Sequence, residues 1–207
     1  MGLVYKKVLT ENALLGLWEI SESLEELSGL VDPGVFDREK FAKQTSTKRK
    51  KESLAVLCLL EVMLEEPVRI SHDQDGKPCL ENERFKISIS HSALYAAVYL
   101  NKHRAVGVDI QKVKPDIGRG MDYFLNNKEQ FWVDKTDFIL MNILWSAKES
   151  VYKYAGIKDL DPRNQVVIDA FKPKQTGMIT AMITNKKPEA LLIHYEVFED
   201  YVLTRTL

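Results

Sequence analysis

"FKISISHSALYAAVYLNKHRAVGVDIQKV", residues 85 to 113, carries three apolar runs in close succession, and the way they alternate decides the fold. Phe85, Ile87 and Ile89 alternate with Lys86, Ser88 and Ser90, the period-two pattern of a half-buried strand, whose end is expected to deliver Ser90, His91 and Ser92 to a loop. "LYAAVYL" is the next strand, and "NKHR" turns the chain into a third, "AVGVDI". Three consecutive short strands with polar ends predict a sheet of antiparallel character. Asp109 falls at the end of the third, where a carboxylate is exposed without leaving the apolar run that fixes it.

Upstream, "ALLGLWEI" reads as a short strand or the start of a buried helix, "SESLEELSGL" as a brief helix ending near Gly29, and "DPG" at 32 to 34 as a turn. Residues 47 to 63 read as one long helix, with Leu54, Val56, Leu57, Leu60 and Leu64 at helical spacing. Its first turns carry Lys48, Arg49, Lys50 and Lys51, at the end of the helix where the dipole disfavours cations. A solvated basic face and a site for an anion or acidic partner are both open readings. "HDQDGKP" is a turn in which Gly76 and Pro78 flank Lys77. Downstream, Pro115 and the glycines at 118 and 120 break the chain, and "MDYFLNNKEQFW" reads as helix and turn. "TDFILMNILWSAKESVYKYAG" is a long helix stopped by Gly156. "QVVIDAF", "GMITAMI", "ALLIHYEVF" and "YVLTRT" are antiparallel strands separated by turn residues. The fold class is α+β, with a lobe boundary near residues 101 to 104.

The chain of 207 residues can bury one core or two half-sized lobes. With 45% hydrophobic and 29% charged residues it has the balance of a globular protein. A formal charge of -1 gives no broad positive field, so no nucleic-acid partner is expected. Cys58 and Cys79 have no metal-site spacing and read as reduced cysteines of a cytoplasmic protein. The apolar pieces of the first twenty residues are too short for a signal segment or a span, so no membrane association is expected.

On the long helix, Trp145, Lys148, Glu149 and Tyr152 share a face, and Lys153 lies four beyond Glu149. A surface pair Glu149–Lys153, worth about 0.2–0.5 kcal/mol, accounts for that spacing taken alone. Ile143, Leu144 and Val151 anchor the helix in a core, which leaves Lys148, Glu149 and Lys153 as a mixed-charge cluster at its edge. Lysines beside carboxylates suit a substrate that brings its own negative charge and a divalent cation.

"GVDIQ" followed by "WSAKESVYK" resembles the 4'-phosphopantetheinyl transferase superfamily, whose two motifs run Gly-Val/Ile-Asp and Trp/Phe-Ser-x-Lys-Glu-Ser/Ala-x-x-Lys. The resemblance extends to "GKP" at 76 to 78, "SISHS" at 88 to 92, and Phe124 with Glu129 in "FLNNKE". Chain length is similar to the larger, monomeric type. The resemblance implies two similar, pseudo-two-fold related lobes, each with an antiparallel sheet and a long helix, over residues 1–104 and 105–207. It puts the active site in the cleft between them. It implies Mg²⁺-dependent transfer of the phosphopantetheine arm of coenzyme A onto a serine of an apo acyl or peptidyl carrier protein, releasing adenosine 3',5'-bisphosphate. Asp109 and Glu149 correspond to magnesium ligands, and Lys148 and Lys153 to phosphate contacts. Ser90 and His91 correspond to the pair that meets the coenzyme A phosphates, and Lys77 to another nucleotide contact. Lys48, Arg49 or Lys51 lies where the family places a cation near the 3'-phosphate. Glu149 is the first choice of general base for the incoming serine and Glu129 the second. Gln111 departs from the pattern: larger members carry a third carboxylate there, and a glutamine offers a carbonyl oxygen without charge. A carrier- and coenzyme-binding homologue with little or no turnover is the alternative.

Overall fold

The computed structural model describes residues 2–35, 41, 43, 45–184 and 187–207. The chain divides into two compact units, Met1–Ala105 and Val106–Leu207. Both combine helices with antiparallel sheet, and the fold class is α+β.

In the first unit the elements run β1 (Leu3–Thr10), β2 (Ala13–Glu19), α1 (Leu24–Leu30), α2 (Thr47–Leu64), β3 (Ile70–His72), β4 (Pro78–Leu80), β5 (Lys86–Ser92) and β6 (Tyr95–Asn101). The main sheet has the order β1-β2-β6-β5, and β3 pairs with β4 in a separate ribbon. "ALLGLWE" is a strand, paired on one side with β1 and on the other with β6. A central strand buried on both faces reads as a continuous apolar run, which is why its pattern alone does not separate strand from helix. The sequence reading finds no strand in β1. As an edge strand it pairs only with β2 and stays largely exposed, so its lysines are tolerated and its periodicity is weak. Helix α2 packs Leu54, Leu59, Leu60 and Met63 against a core that includes Trp18, Val98 and Leu100. Its first turn is capped by the Ser46 side chain, which accepts from the Arg49 N–H.

Two expectations are corrected here. Strand β5 continues to Ser92, so Ser90 and His91 are ladder residues opposite Ala97 and Ala96, not loop residues. The third apolar run does not join β5 and β6 in one sheet: it forms β7 (Val108–Lys112) in the second unit. Short strands joined by a tight turn look like one meander in sequence, and only the pairing partner separates them.

The second unit continues with a 3₁₀ turn over Ile117–Tyr123, α3 (Asn127–Gln130), α4 (Phe138–Ala155), β8 (Val166–Ile168), β9 (Thr176–Ile183), β10 (Glu189–Phe198) and β11 (Tyr201–Thr206). Sheet order is β7-β11-β10-β9-β8. Strands β7 and β8, consecutive in the chain, therefore lie at opposite edges. Helix α4 connects them across the sheet, and β8 to β11 meander back until β11 pairs with β7. Asp137 caps the start of α4 and Gly156, at φ 62°, ends it in the left-handed conformation.

The helix-facing side of this sheet changes character from one edge to the other. Val166, Ile168, Ile179, Ala181, Ile183, Leu191 and Ile193 form an apolar floor under Leu140, Ile143, Leu144, Ala147 and Val151 of α4. At β11 and β7 it becomes polar, with Thr204, Thr206, Asp109 and Gln111 all buried. Helix α4 answers with Asn142, Ser146 and Ser150, spaced by four and also buried. Among the described residues no helix is long and apolar enough to cross a membrane.

Close approach of α4 to the start of β7 depends on Gly107. A Cβ there would stand 1.9 Å from the Ser150 carbonyl oxygen and 2.9 Å from the Tyr154 nitrogen, both helix backbone atoms that cannot step aside as a side chain can. Gly107→Ala is expected to cost about 1–3 kcal/mol in urea unfolding, the range for overpacking. Gly29→Ala, where an added Cβ meets nothing within 4 Å, is expected to be neutral or mildly stabilising. Equal effects of the two substitutions would remove the helix-strand contact as the reason for the glycine.

Candidate functional site

Asp109 is the second residue of β7 and only 6% exposed, not the exposed strand-end carboxylate that the sequence reading expects. Lying opposite Thr204 of β11, it faces α4. Ser146 Oγ donates to its Oδ2 at 2.8 Å, and Lys153 Nζ donates to its Oδ1 at 2.8 Å and to the Val108 carbonyl at 3.1 Å. A buried carboxylate is costly unless it is paired and hydrogen-bonded, and both conditions are met here. Lys153 thus binds strand β7 instead of forming the helix-surface pair with Glu149 that its spacing suggests.

Glu149 follows on the same helix, half-buried. Its carboxylate accepts no hydrogen bond among the described residues. Burial pushes its pKa up, the Asp109 charge pushes it further, and Lys153 opposes both. A second oxygen donor lies on β7. Gln111 Nε2 donates to Asn142 Oδ1 at 3.1 Å, while Asn142 itself is fixed by donating to the Lys114 and Phe138 carbonyls and accepting from the Lys114 N–H. These backbone partners settle which end of each amide is which, so Gln111 keeps Oε1 as an uncharged acceptor.

Asp109 and Glu149, close enough for the charge of the one to raise the pKa of the other, give an oxygen donor pair with two negative charges, of the kind that hard divalent cations take. A cation here would offset the burial and the Asp109 charge that together raise Glu149. No group of three or more His, Cys, Asp or Glu residues suited to a metal occurs among the described residues. Magnesium, which keeps several waters and substrate phosphate oxygens in its shell, needs no such group. The residues present fit it.

Lys148 and Glu129 behave differently. The sequence reading puts Lys148 at the helix edge, whereas it is 0% exposed. Its ammonium donates to Glu129 Oε2 at 2.8 Å, the Pro162 carbonyl at 3.0 Å and the Val166 carbonyl at 2.7 Å, which occupies all three of its donors. Burial lowers the Lys148 pKa and Glu129 counteracts this. Glu129 is equally closed in. It is the N3 residue of a capping box with Asn126 at the start of α3, and its Oε1 accepts from the Ile168 N–H at 2.8 Å. The pair ties α4, α3 and β8 together, and a phosphate contact by Lys148 would have to break that set. Trp145, whose ring meets Phe124 edge-on at 5.4 Å, braces the middle of α4.

In the first unit, His91 is on β5 with its Nδ1 3.3 Å from Glu52 Oε2. Glu52 is a buried acid on α2, and Lys48 reaches its other oxygen at 3.8 Å. The sequence reading misses Glu52. The available signal is its place in "KRKKESL", where one carboxylate follows four cations on a helix turning from polar to apolar. Lys48 and Arg49 are exposed and Lys51 is partly buried. Ser90 is buried on β5. Lys77 follows Gly76, at φ 83°, in the turn that closes β3 onto β4, and burial lowers its pKa while Asp73 raises it.

The raised pKa of Glu149 has a consequence for stability. Its folded value exceeds its unfolded one, so the contribution is fully present below the unfolded value and is lost as pH rises through the folded value. With a chelator present, Glu149→Gln is expected to melt above the wild type near pH 8 and to converge on it near about pH 4. Identical melting temperatures near pH 8 would show that Glu149 carries neither the burial penalty nor the Asp109 repulsion.

Residues 105–206 match the family model described as the 4'-phosphopantetheinyl transferase superfamily. The match spans β7, α4 and β11, the three elements that assemble Asp109, Glu149 and Lys153. No curated protein matches the chain.

Proposed function

We propose that the protein transfers the 4'-phosphopantetheine arm of coenzyme A to a serine hydroxyl of an apo acyl or peptidyl carrier protein, releasing adenosine 3',5'-bisphosphate. The observation that carries this reading is the convergence of a strand carboxylate, a helix carboxylate and a helix lysine in the segment that matches the superfamily model. Asp109, Glu149 and the Gln111 carbonyl would hold the magnesium ion. When bound, that ion supplies charge neutralisation on the pyrophosphate and on the departing nucleotide oxygen.

The chain's own part is positioning and proton handling. Asp109 is fixed by Ser146 and Lys153, so its oxygens need no rearrangement before use. Lys153 is the cation of α4 best placed to meet a phosphate oxygen, because Lys148 is consumed by Glu129 and two carbonyls. Glu149, a carboxylate left without a hydrogen-bond donor among the described residues, is the group proposed to take the proton of the incoming serine, directly or through a bound water. Glu129 is too enclosed for that role and serves as a brace. Lys48, Arg49, Lys51, Lys77, Ser90 and His91 of the first unit are the proposed contacts to the nucleotide portion, with Glu52 holding the His91 ring by its Nδ1.

A second reading, a coenzyme- and carrier-binding homologue with weak turnover, is favoured by Gln111, which leaves the donor set one charge short of three carboxylates. The two readings separate in intact-mass measurements on purified apo carriers incubated with protein, coenzyme A and magnesium. The first predicts a gain of roughly 340 Da that needs magnesium and slows about 100-fold or more in Glu149→Ala. The second predicts coenzyme A binding with no gain, and a gain that emerges in Gln111→Glu. Absence of both binding and transfer contradicts both.

A further inference from the structure

A residue on a third element joins the polar group around Asp109. Thr204 of β11 is 0% exposed and lies directly opposite Asp109 in the antiparallel ladder, so both side chains face α4. Its Oγ1 is 3.0 Å from Ser146 Oγ and 2.8 Å from the Ser146 carbonyl, and it also meets Ser150 Oγ in a short contact. Ser150 Oγ in turn lies 3.0 Å from the Ser146 carbonyl.

Counting protons gives this cluster a direction. Each hydroxyl has one proton to donate. The Ser146 proton goes to Asp109 Oδ2, so the contact between Ser146 Oγ and Thr204 Oγ1 is bonding only if Thr204 supplies the proton. With the Thr204 proton committed to Ser146, the contact between Ser150 and Thr204 requires the Ser150 proton. The Ser146 carbonyl, at 2.8 Å, is the other acceptor for the Thr204 proton, so in either arrangement Thr204 donates to Ser146, and the Ser150 proton goes to Thr204 or to that same carbonyl.

Without the Thr204 hydroxyl, Ser146 loses the sheet-side partner that contacts both its hydroxyl and its carbonyl. A helical serine readily donates to the carbonyl four residues before it, as Ser150 is placed to do toward Ser146, and for Ser146 that acceptor is the Asn142 carbonyl. We infer that Thr204 is a positioning residue for the cation site: it keeps the Ser146 hydroxyl turned away from its own helix and onto Asp109, and so fixes the direction in which Asp109 presents its oxygens. The inference rests on the reading of Asp109 and Glu149 as cation-holding residues and names no new contact to substrate.

The test is manganese binding to the intact protein, followed by the electron paramagnetic resonance of free Mn²⁺, with and without coenzyme A. Manganese serves as probe because it accepts the same oxygen donors. Thr204→Val, which removes the hydroxyl at nearly constant shape, is expected to weaken Mn²⁺ binding by about 10–100-fold, the usual effect of losing a group that orients a metal ligand. Thr204→Ser should restore binding to near the wild-type value, and Ser150→Ala, which removes a partner of Thr204 but none of Asp109, should give an intermediate loss. Ile193→Val, a packing change in the same core, controls for stability and should lower the melting temperature without changing Mn²⁺ affinity. The inference is overturned if Thr204→Val binds as tightly as wild type, or if Ile193→Val loses as much. Should Thr204→Val not fold, the Ser150→Ala and Thr204→Ser pair decides in the same way. A wild-type protein that binds no Mn²⁺ under either condition overturns the cation reading itself, and the inference with it.

Discussion

A carboxylate buried where a helix crosses an edge strand constrains the whole second unit. Asp109 is stabilised there by Ser146 and Lys153, which satisfy both of its oxygens, and both reach it because α4 lies almost on the backbone of β7. Gly107 permits that approach by lacking a side chain. The polar edge formed by β7 and β11 then requires a polar stripe on the helix, and Asn142, Ser146 and Ser150 supply it at a spacing of four. Sheet order follows the same demand, since β11 must return to lie beside β7 for Thr204 to join the group.

Two charge pairs on α4, five residues apart along the helix, show how burial separates structure from chemistry. The Lys148–Glu129 pair is closed: every donor of the lysine and both acid oxygens are used, and removing one partner would strand the other at a cost of about 3–5 kcal/mol. The Asp109–Lys153 pair is partly open, with a quarter of the lysine side chain exposed and an unsatisfied carboxyl beside it at Glu149. Only the second arrangement has bonding capacity left for a ligand. The first unit repeats the theme on a smaller scale, where the buried Glu52 holds the ring of a half-exposed histidine.

Helix positions were the most legible part of the sequence, because α2 and α4 carry long apolar periodicities with stop signals after them. Strands β8 to β11 were legible through their alternation. Which strands share a sheet was not, since pairing depends on partners far away in the chain, and β7 pairs with β11 while following β6. The motif residues Asp109, Glu149 and Lys153 were found together, but the depth of each was hidden. A lysine reads as a surface residue, and nothing local reveals that Lys148 finds two carbonyls and a glutamate inside the core. Thr204 was passed over for a related reason: in "YVLTRT" it reads as one more alternating β-branched residue, and its meaning arises only opposite Asp109.

The central claim is that one strand carboxylate and one helix carboxylate together hold a single divalent cation. Calorimetric titration of magnesium into the protein with coenzyme A present tests it most directly. One magnesium site is expected in the wild type, lost in Asp109→Asn and in Glu149→Gln, and kept in the double variant Lys148→Met/Glu129→Met, which replaces the closed pair by apolar groups. Asp109→Asn and Glu149→Gln proteins that still titrate like the wild type would contradict the account.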